Sequence, residues 1–215
     1  MISVEVLTFN MFSENTYIVY DETKECVVID PGCSDYQERM ELKSFIDGRG
    51  LTVKHLLNTH AHIDHVLGND FVKKTYGVQY YLHKKDLPLL ENNVERAQFY
   101  GFPGYVGAEV DVFLEEGDII KFGKSELEVI FVPGHAPGHV AFISNPDKLC
   151  ISGDVLFKRS IGRTDFPLCN HDDLIASIRD KIFNLADDMV ILPGHGPFTT
   201  VGEEKKYNPY VGLES

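Results

Sequence analysis

Three histidines and an aspartate fall within one hexapeptide, His60-Ala61-His62-Ile63-Asp64-His65. Imidazole nitrogen and carboxylate oxygen are the donors that a first-row divalent ion such as zinc prefers. A single tetrahedral ion rarely takes so many ligands from so short a stretch, so the hexapeptide suits two neighbouring ions better than one. His60 and His62 can point one way while Asp64 and His65 point another. Two later segments add donors. Pro133-Gly134-His135 and Pro193-Gly194-His195 each close an apolar run, and the sharp Pro-Gly turn puts an imidazole just beyond the end of a strand. Asp154 follows Ile151-Ser152-Gly153 in the manner of Asp30 after Val28-Ile29, and its carboxylate is placed to bridge two ions. Two divalent cations would be nearly balanced by Asp64, Asp154 and a hydroxide, and the charge left over holds water as hydroxide near neutral pH. Asp30 and Thr59 are candidates for orienting ligand rings, with turn chemistry an equal reading for Asp30. His139 begins a strand and is read as a structural or supporting group. His55, His83 and His171 are given no role.

Each of these groups has to be carried by an element. Val4 to Phe9, Thr16 to Tyr20 and Cys26 to Ile29 read as short strands, rich in β-branched and aromatic residues. Ser34 with Gln37 has the form of a capping box opening a helix to about Asp47, with Tyr36, Met40 and Phe45 or Ile46 as its buried side. Val53 to Thr59 reads as a strand that hands over, through the ligand hexapeptide, to a helix from Asp64 to Tyr76 stopped by Gly77. Gln79 to Leu82 is a further strand. His83 to Val110, with Gly101, Pro103, Gly104 and Gly107, reads as a long loop of the kind that walls a site. The second half repeats the outline. Ile119 to Phe122, Glu126 to Phe131, Val140 to Ser144, Leu149 to Ile151 and Met189 to Leu192 read as strands, and Asn170 caps a helix from His171 to about Leu185. Strands followed by an outer helix, twice, point to an α/β fold in which two sheets pack face to face with helices outside, a four-layer αββα sandwich.

Composition bounds the function. The chain has 215 residues, a length that suits one domain over 1–215, and 43% hydrophobic residues, enough for a sizeable core. Its formal net charge is −13. That disfavours nucleic acid as a partner, because phosphate contacts need clustered Lys and Arg. The four cysteines, Cys26, Cys33, Cys150 and Cys169, form no Cys-x-x-Cys pair and read as small buried hydrophobes. The start, Met-Ile-Ser-Val-Glu-Val, lacks the basic and apolar regions of a signal peptide, and no run is long enough for a membrane span. A cytoplasmic location, a small-molecule substrate and no membrane partner are the expectations.

Taken together, His60, His62, Asp64, His65, His135, Asp154 and His195 resemble the metal motif of the metallo-β-lactamase superfamily. The resemblance runs from about Val4 to Pro209. Within it the chain looks most like the short glyoxalase II-type proteins, the hydroxyacylglutathione hydrolases, through Thr59 to His65, Pro133 to His139, Gly153 to Phe157, Gly162-Arg163-Thr164-Asp165-Phe166-Pro167 and Asn208-Pro209-Tyr210. The resemblance implies the αββα fold and two divalent ions, zinc in the first place, with iron or manganese as alternatives. One ion would be held by His60, His62 and His135 and the other by Asp64, His65 and His195, with Asp154 and a hydroxide bridging them. It implies hydrolysis of a thioester such as S-D-lactoylglutathione by that hydroxide, with Asp64 able to accept a proton and the metal stabilising the oxyanion.

Departures from the family concern glutathione recognition. The C-terminal helical extension of full-length glyoxalase II is not matched, since the chain ends shortly after Tyr210 with no basic residue after Lys206. Pro197 stands where the family has a Tyr, and Asp165 where it has another. Arg163 matches a basic glutathione-contacting position and is the expected anchor for a substrate carboxylate. Rival readings are the related iron-dependent persulfide dioxygenase, which shares the Gly-Arg-Thr-Asp-Phe segment, a β-lactamase, and a non-catalytic metal-binding module with a closed centre.

Overall fold

Polar and apolar residues that are all buried mark the inner strands of the first half, where Glu14–Tyr20 and Glu25–Ile29 are covered almost throughout. A computed structural model describes residues 1–212; the last three residues of the expected 1–215 domain lie outside the described residues. The chain divides into two compact units, Met1–Leu114 with Lys121–Glu126, and Glu115–Ile120 with Leu127 onward.

The first unit is built on a sheet of β1 (Ser3–Phe9), β2 (Glu14–Tyr20), β3 (Glu25–Ile29), β4 (Thr52–Leu57), β5 (Gln79–His83) and β6 (Val112–Leu114), in that order. β1 to β3 pair antiparallel, and β3 to β6 pair parallel. Parallel neighbours need crossovers. The first is α1 (Tyr36–Arg49), and the second contains α2 (Ile63–Val66) and α3 (Asn69–Tyr76). The cap of α1 is one residue later than expected. Asp35 is the N-cap and accepts from the Glu38 amide at 2.9 Å, while the Ser34 hydroxyl donates to Glu38 Oε2 at 2.8 Å. Of the expected buried side, Ile46 is buried, Met40 and Phe45 are half-buried and Tyr36 is exposed, while Leu42 is buried as well.

The single helix expected from Asp64 to Tyr76 is broken at Gly68. The Gly68 amide donates to Pro31 O at 2.7 Å. A Cβ there would collide with Cys33 Sγ and stand 2.8 Å from Pro31 O. The break lets the ligand segment lie against the turn after β3. Gly77 ends α3 in the left-handed conformation, as expected. The expected loop over His83 to Val110 is half helical: α4 (Leu87–Glu91) and α5 (Asn93–Phe99) occupy it. Pro88 is tolerated because it sits in the first turn of α4. The Gly and Pro residues that argued for a loop all lie beyond α5.

In the second unit the sheet runs β14-β13-β10-β9-β8-β7, with β7 (Ile119–Phe122), β8 (Ser125–Phe131), β9 (Val140–Ser144), β10 (Leu149–Gly153), β13 (Val190–Pro193) and β14 (Thr199–Thr200). β11 (Leu156–Phe157) and β12 (Ser160–Ile161) form a small hairpin. β10 and β13 pair parallel, and α6 (His171–Asp180) lies in the crossover between them. Asn170 caps α6 as expected, but the helix stops at Asp180 and continues only as a 3-10 turn over Ile182–Asn184. Leu174, Ile178 and Ile182 pack into a core with Val132, Ala141, Cys150 and Ile191. The helix α7 (Val201–Tyr207) was not expected. Its buried Glu204 accepts from the Arg159 amide at 2.9 Å, Thr199 Oγ1 at 2.6 Å and Asn208 Nδ2 at 2.9 Å, tying the tail to the hairpin. No helix among the described residues is long and apolar enough to cross a membrane.

Gly68→Ala is expected to lower stability by about 1–3 kcal/mol, the usual range for overpacking; thermal unfolding reads it, and a parent-like midpoint would mean the turn has room. Asp21 gives a pH signature. Burial pushes its carboxyl up, but hydrogen bonds from Thr23 Oγ1, the Lys124 and Thr23 amides and Ser125 Oγ outweigh this and hold it at about 2. The stabilisation is therefore present above the ordinary carboxylate value of 3.8 and is lost as pH falls towards 2. Asp21→Asn should flatten that acid limb in a denaturation series.

Candidate metal centre

The first cluster of donors sits where β4 gives way to α2. Asp30, at the end of β3, is buried and holds a left-handed backbone with φ 50°. Its Oδ1 accepts from Asn58 Nδ2 at 3.0 Å and the Thr59 amide at 2.7 Å. Its Oδ2 accepts from Thr59 Oγ1 at 2.6 Å and faces His65 Nδ1 at 3.1 Å. A carboxylate only accepts, so His65 carries its proton on Nδ1 and presents a lone pair at Nε2. The Thr59 hydroxyl has given its one hydrogen to Asp30, so its contact with His60 Nδ1 at 3.0 Å is an N–H donated by the imidazole. His60 therefore also presents Nε2. The His60 ring lies 4.7 Å from that of His62, nearly perpendicular at 87°, and 4.2 Å from that of His65. Ligand atoms of Asp30, His60 and His65 lie within 4.8 Å of one another. Asp64 Oδ2 stands 3.7 Å from His65 Nε2, and Asn10 Nδ2 donates to Asp64 O at 3.1 Å. His62 is the N-cap of α2, which puts Asp64 in its first turn, where the helix dipole favours a carboxylate.

The second cluster is carried by the ends of β8, β10 and β13. His135 Nδ1 donates to the carbonyl of Arg163 at 2.8 Å, so its Nε2 is the donor atom that remains. That Nε2 lies 3.4 Å from Asp154 Oδ2, and His195 Nε2 lies 3.6 Å from the same oxygen. Ligands about 2.0–2.2 Å from one ion stand roughly 3–3.6 Å apart, the spacing these atoms have. His139, fully buried, accepts the Asp154 amide at its Nε2 at 3.1 Å and so holds the backbone from which the carboxylate projects. Gly162 lies against this turn, where a Cβ would meet Asp154 O and come within 3.2 Å of His135 Cβ. Gly134 takes φ 136° beside the backbone of Leu174 at the start of α6.

The expected metal-site residues fall into two groups, His60, His62, Asp64 and His65 in the first unit and His135, Asp154 and His195 in the second. Asp30, Thr59 and His139 each make the hydrogen bond that would orient a ligand. Arg163, the expected anchor for a substrate carboxylate, lies on the surface beside Asp165. Its exposed guanidinium forms a fork with Asp165 at 2.8 and 2.9 Å and stacks on Phe166 at 4.2 Å, while its carbonyl serves His135. Sequence reasoning missed several polar residues. Glu14 is fully buried with Oε1 3.8 Å from His65 Nδ1; burial pushes its carboxyl well above the ordinary range, against the pull of His65. Asn58, Asn69, Asp86 and Asn93 are buried too. The available signal was the polar run Glu14-Asn15-Thr16 inside an otherwise apolar strand. Three of the four cysteines match their reading as buried hydrophobes, and burial pushes the thiols of Cys26, Cys33 and Cys150 up to about 12; Cys169 is half-buried and its Sγ donates to His135 O at 2.9 Å. The donor set is thus imidazole and carboxylate, with Nε2 left as the donor atom of His60, His65 and His135, and it fits divalent ions of the zinc, iron or manganese kind.

The sequence profile of the metallo-β-lactamase superfamily matches residues 10–195. The hydroxyacylglutathione hydrolase GloC of Haemophilus influenzae is 38% identical over 99% of this chain and 100% of its own. Among solved structures, the BLEG-1 B3 metallo-β-lactamase is 33% identical with a TM-score of 0.89, covering 97% of this chain and 99% of that one. TTHA1623 in a di-iron-bound form is 36% identical with a TM-score of 0.86, covering 96% and 100%. The chain shares the fold of these solved structures, two large sheets with flanking helices, and itself carries His/Asp clusters suited to a dinuclear centre. The chain belongs to the metallo-β-lactamase superfamily, and that membership with its similarity to GloC supports a metal-dependent hydrolase.

Asp30→Ala removes the acceptor for both Thr59 and His65. It is expected to weaken metal binding by about 10–100-fold, the usual cost of losing a ligand-orienting partner. Competition with a chromophoric chelator measures it, and unchanged affinity in a folded variant would limit Asp30 to turn chemistry.

Proposed function

We propose that this protein hydrolyses acyl thioesters of the S-D-lactoylglutathione type at a centre of two divalent ions. The observation that carries the reading is end-to-end similarity, at 38% identity, to a hydroxyacylglutathione hydrolase, together with clustered His/Asp donors in each unit. In this reading His60, His62 and His135 hold one ion, Asp64, His65 and His195 the other, and Asp154 both. Zinc is the expected metal; the di-iron form of a relative makes iron the first alternative. The ions, when bound, supply the Lewis acidity that activates water at neutral pH and stabilises an oxyanion.

The chain's own groups do the rest. Asp64, half-buried in the first turn of α2, is available to take the proton released by the attacking water. Asp30, Thr59 and the Arg163 carbonyl hold His65, His60 and His135 in one orientation, so the donors need no rearrangement. A thiolate leaves without a general acid, because a thiol near pKa 8.5 is a far stronger acid than an amine. Arg163 is exposed and already shares two of its donors, Nε and Nη2, with Asp165, so recognition of the thiol carrier through it is expected to be loose. All four cysteines are free thiols, which suits a reducing, cytoplasmic setting.

The test is a panel of thioesters led by S-D-lactoylglutathione on metal-loaded protein, with glutathione persulfide and oxygen uptake as a second arm and a chromogenic cephalosporin as a third. Thioester turnover lost in His60→Ala is expected. Turnover of no thioester with full metal occupancy would overturn the assignment, and oxygen uptake or cephalosporin cleavage alone would replace it. Asp154→Ala should lower metal content and rate together; leaving both unchanged would remove its bridging role.

A further inference from the structure

One residue separates the first two histidines of the hexapeptide, and its peptide groups are held from both sides. Ala61 is fully buried and belongs to neither β4 nor α2, so no strand or helix ladder satisfies its backbone. Its N–H donates to Asp86 Oδ2 at 2.7 Å, and its C=O accepts from Asn93 Nδ2 at 2.9 Å. Both side chains are themselves fully buried. Asp86 ends a 3-10 turn over Lys84–Asp86, and Asn93 opens α5. The two grips come from opposite sides of one residue. Any rotation of either peptide flanking Ala61 swings His60 or His62, and rotation breaks a buried bond, one of them to a carboxylate.

We propose that Asp86 and Asn93 are positioning residues for the His60–His62 pair, setting the near-perpendicular arrangement of the two imidazoles and through it the affinity and coordination geometry of the ion they hold. The inference rests on the metal-centre reading above. It explains why two fully buried polar side chains converge on a residue that has no reactive group. It also accounts for the helical segment over 87–99, because α5 carries Asn93 and α4 joins it to Asp86, the other half of the clamp.

The experiment loads parent and variants with cobalt(II) and reads the visible d–d spectrum and the metal affinity by chelator competition. Asp86→Ala and Asn93→Ala are each expected to weaken binding of one ion by about 10–100-fold and to shift the cobalt bands. Asp86→Asn, which keeps an acceptor oxygen for the Ala61 amide, should recover most of the parent spectrum. Leu89→Ala, a buried apolar cut in α4, should lower thermal stability while leaving the spectrum unchanged. A parent-like spectrum and affinity in either alanine variant would overturn the proposal. A spectral shift in Leu89→Ala equal to that in Asp86→Ala would do the same, reducing the clamp to general stability. If Asp86→Ala does not fold, Asn93→Ala decides by itself. Thioester turnover is not among the readouts, so a parent that binds cobalt but hydrolyses nothing would sink the proposed substrate and leave this inference standing.

Discussion

A histidine can ligate a cation only through a nitrogen that carries no proton, and it can be aimed only through the other one. His60, His65 and His135 all obey this constraint in the same way. Each gives its Nδ1 hydrogen to an oxygen, from Thr59, Asp30 and the Arg163 carbonyl respectively, and each is left with Nε2 as donor. The oxygens are held in turn. Thr59 is committed by its own bond to Asp30, and Asp30 by the Asn58 side chain and the Thr59 amide. The direction of each imidazole therefore follows from a chain of donors and acceptors that ends in backbone.

That arrangement demands unusual backbone at the strand ends. Asp30 sits at positive φ, and so does Gly153 immediately before Asp154. Gly68, Gly134 and Gly162 lie where a side chain would strike Pro31, Leu174 or Asp154. Close approach of backbone to backbone is what allows a donor leaving one strand to meet a partner from another. His139 belongs to the same scheme: its ring nitrogen accepts the amide of Asp154, so a residue outside the ligand set controls where that carboxylate emerges.

The features that would select a substrate are far less constrained. The Arg163 guanidinium is paired with Asp165 and exposed, whereas its carbonyl is engaged with a candidate ligand. Five of the seven candidate donors, His60, His62, His65, His135 and Asp154, are thus buried, whereas the side chain proposed for substrate recognition lies on the surface. This contrast matches a superfamily whose members share a centre and differ in what they act on.

Much was legible from the residues alone. Period-two and fully apolar runs end in Asp, Pro-Gly-His or His-x-His-x-Asp-His, and such patterns are local, so nearly every long strand and every candidate ligand could be named without coordinates. What was not legible is instructive. α4 and α5 were hidden because the nearby Gly and Pro residues dominate the local pattern, while burial of Leu89 and Ala97 decides the outcome. β6, β11, β12 and β14 are two- or three-residue pairings with no period to detect. Glu14, Asp86 and Asn93 carry no motif; they matter because residues 25 to 50 positions away fold against them, as Asp86 and Asn93 do against Ala61 across 25 and 32 positions and Glu14 against His65 across about 50. Type and spacing determined which side chains offer lone pairs. Only the tertiary structure decided which nitrogen each offers and what holds it still, because hydrogen bonds between distant segments are set by packing and not by neighbours in the chain.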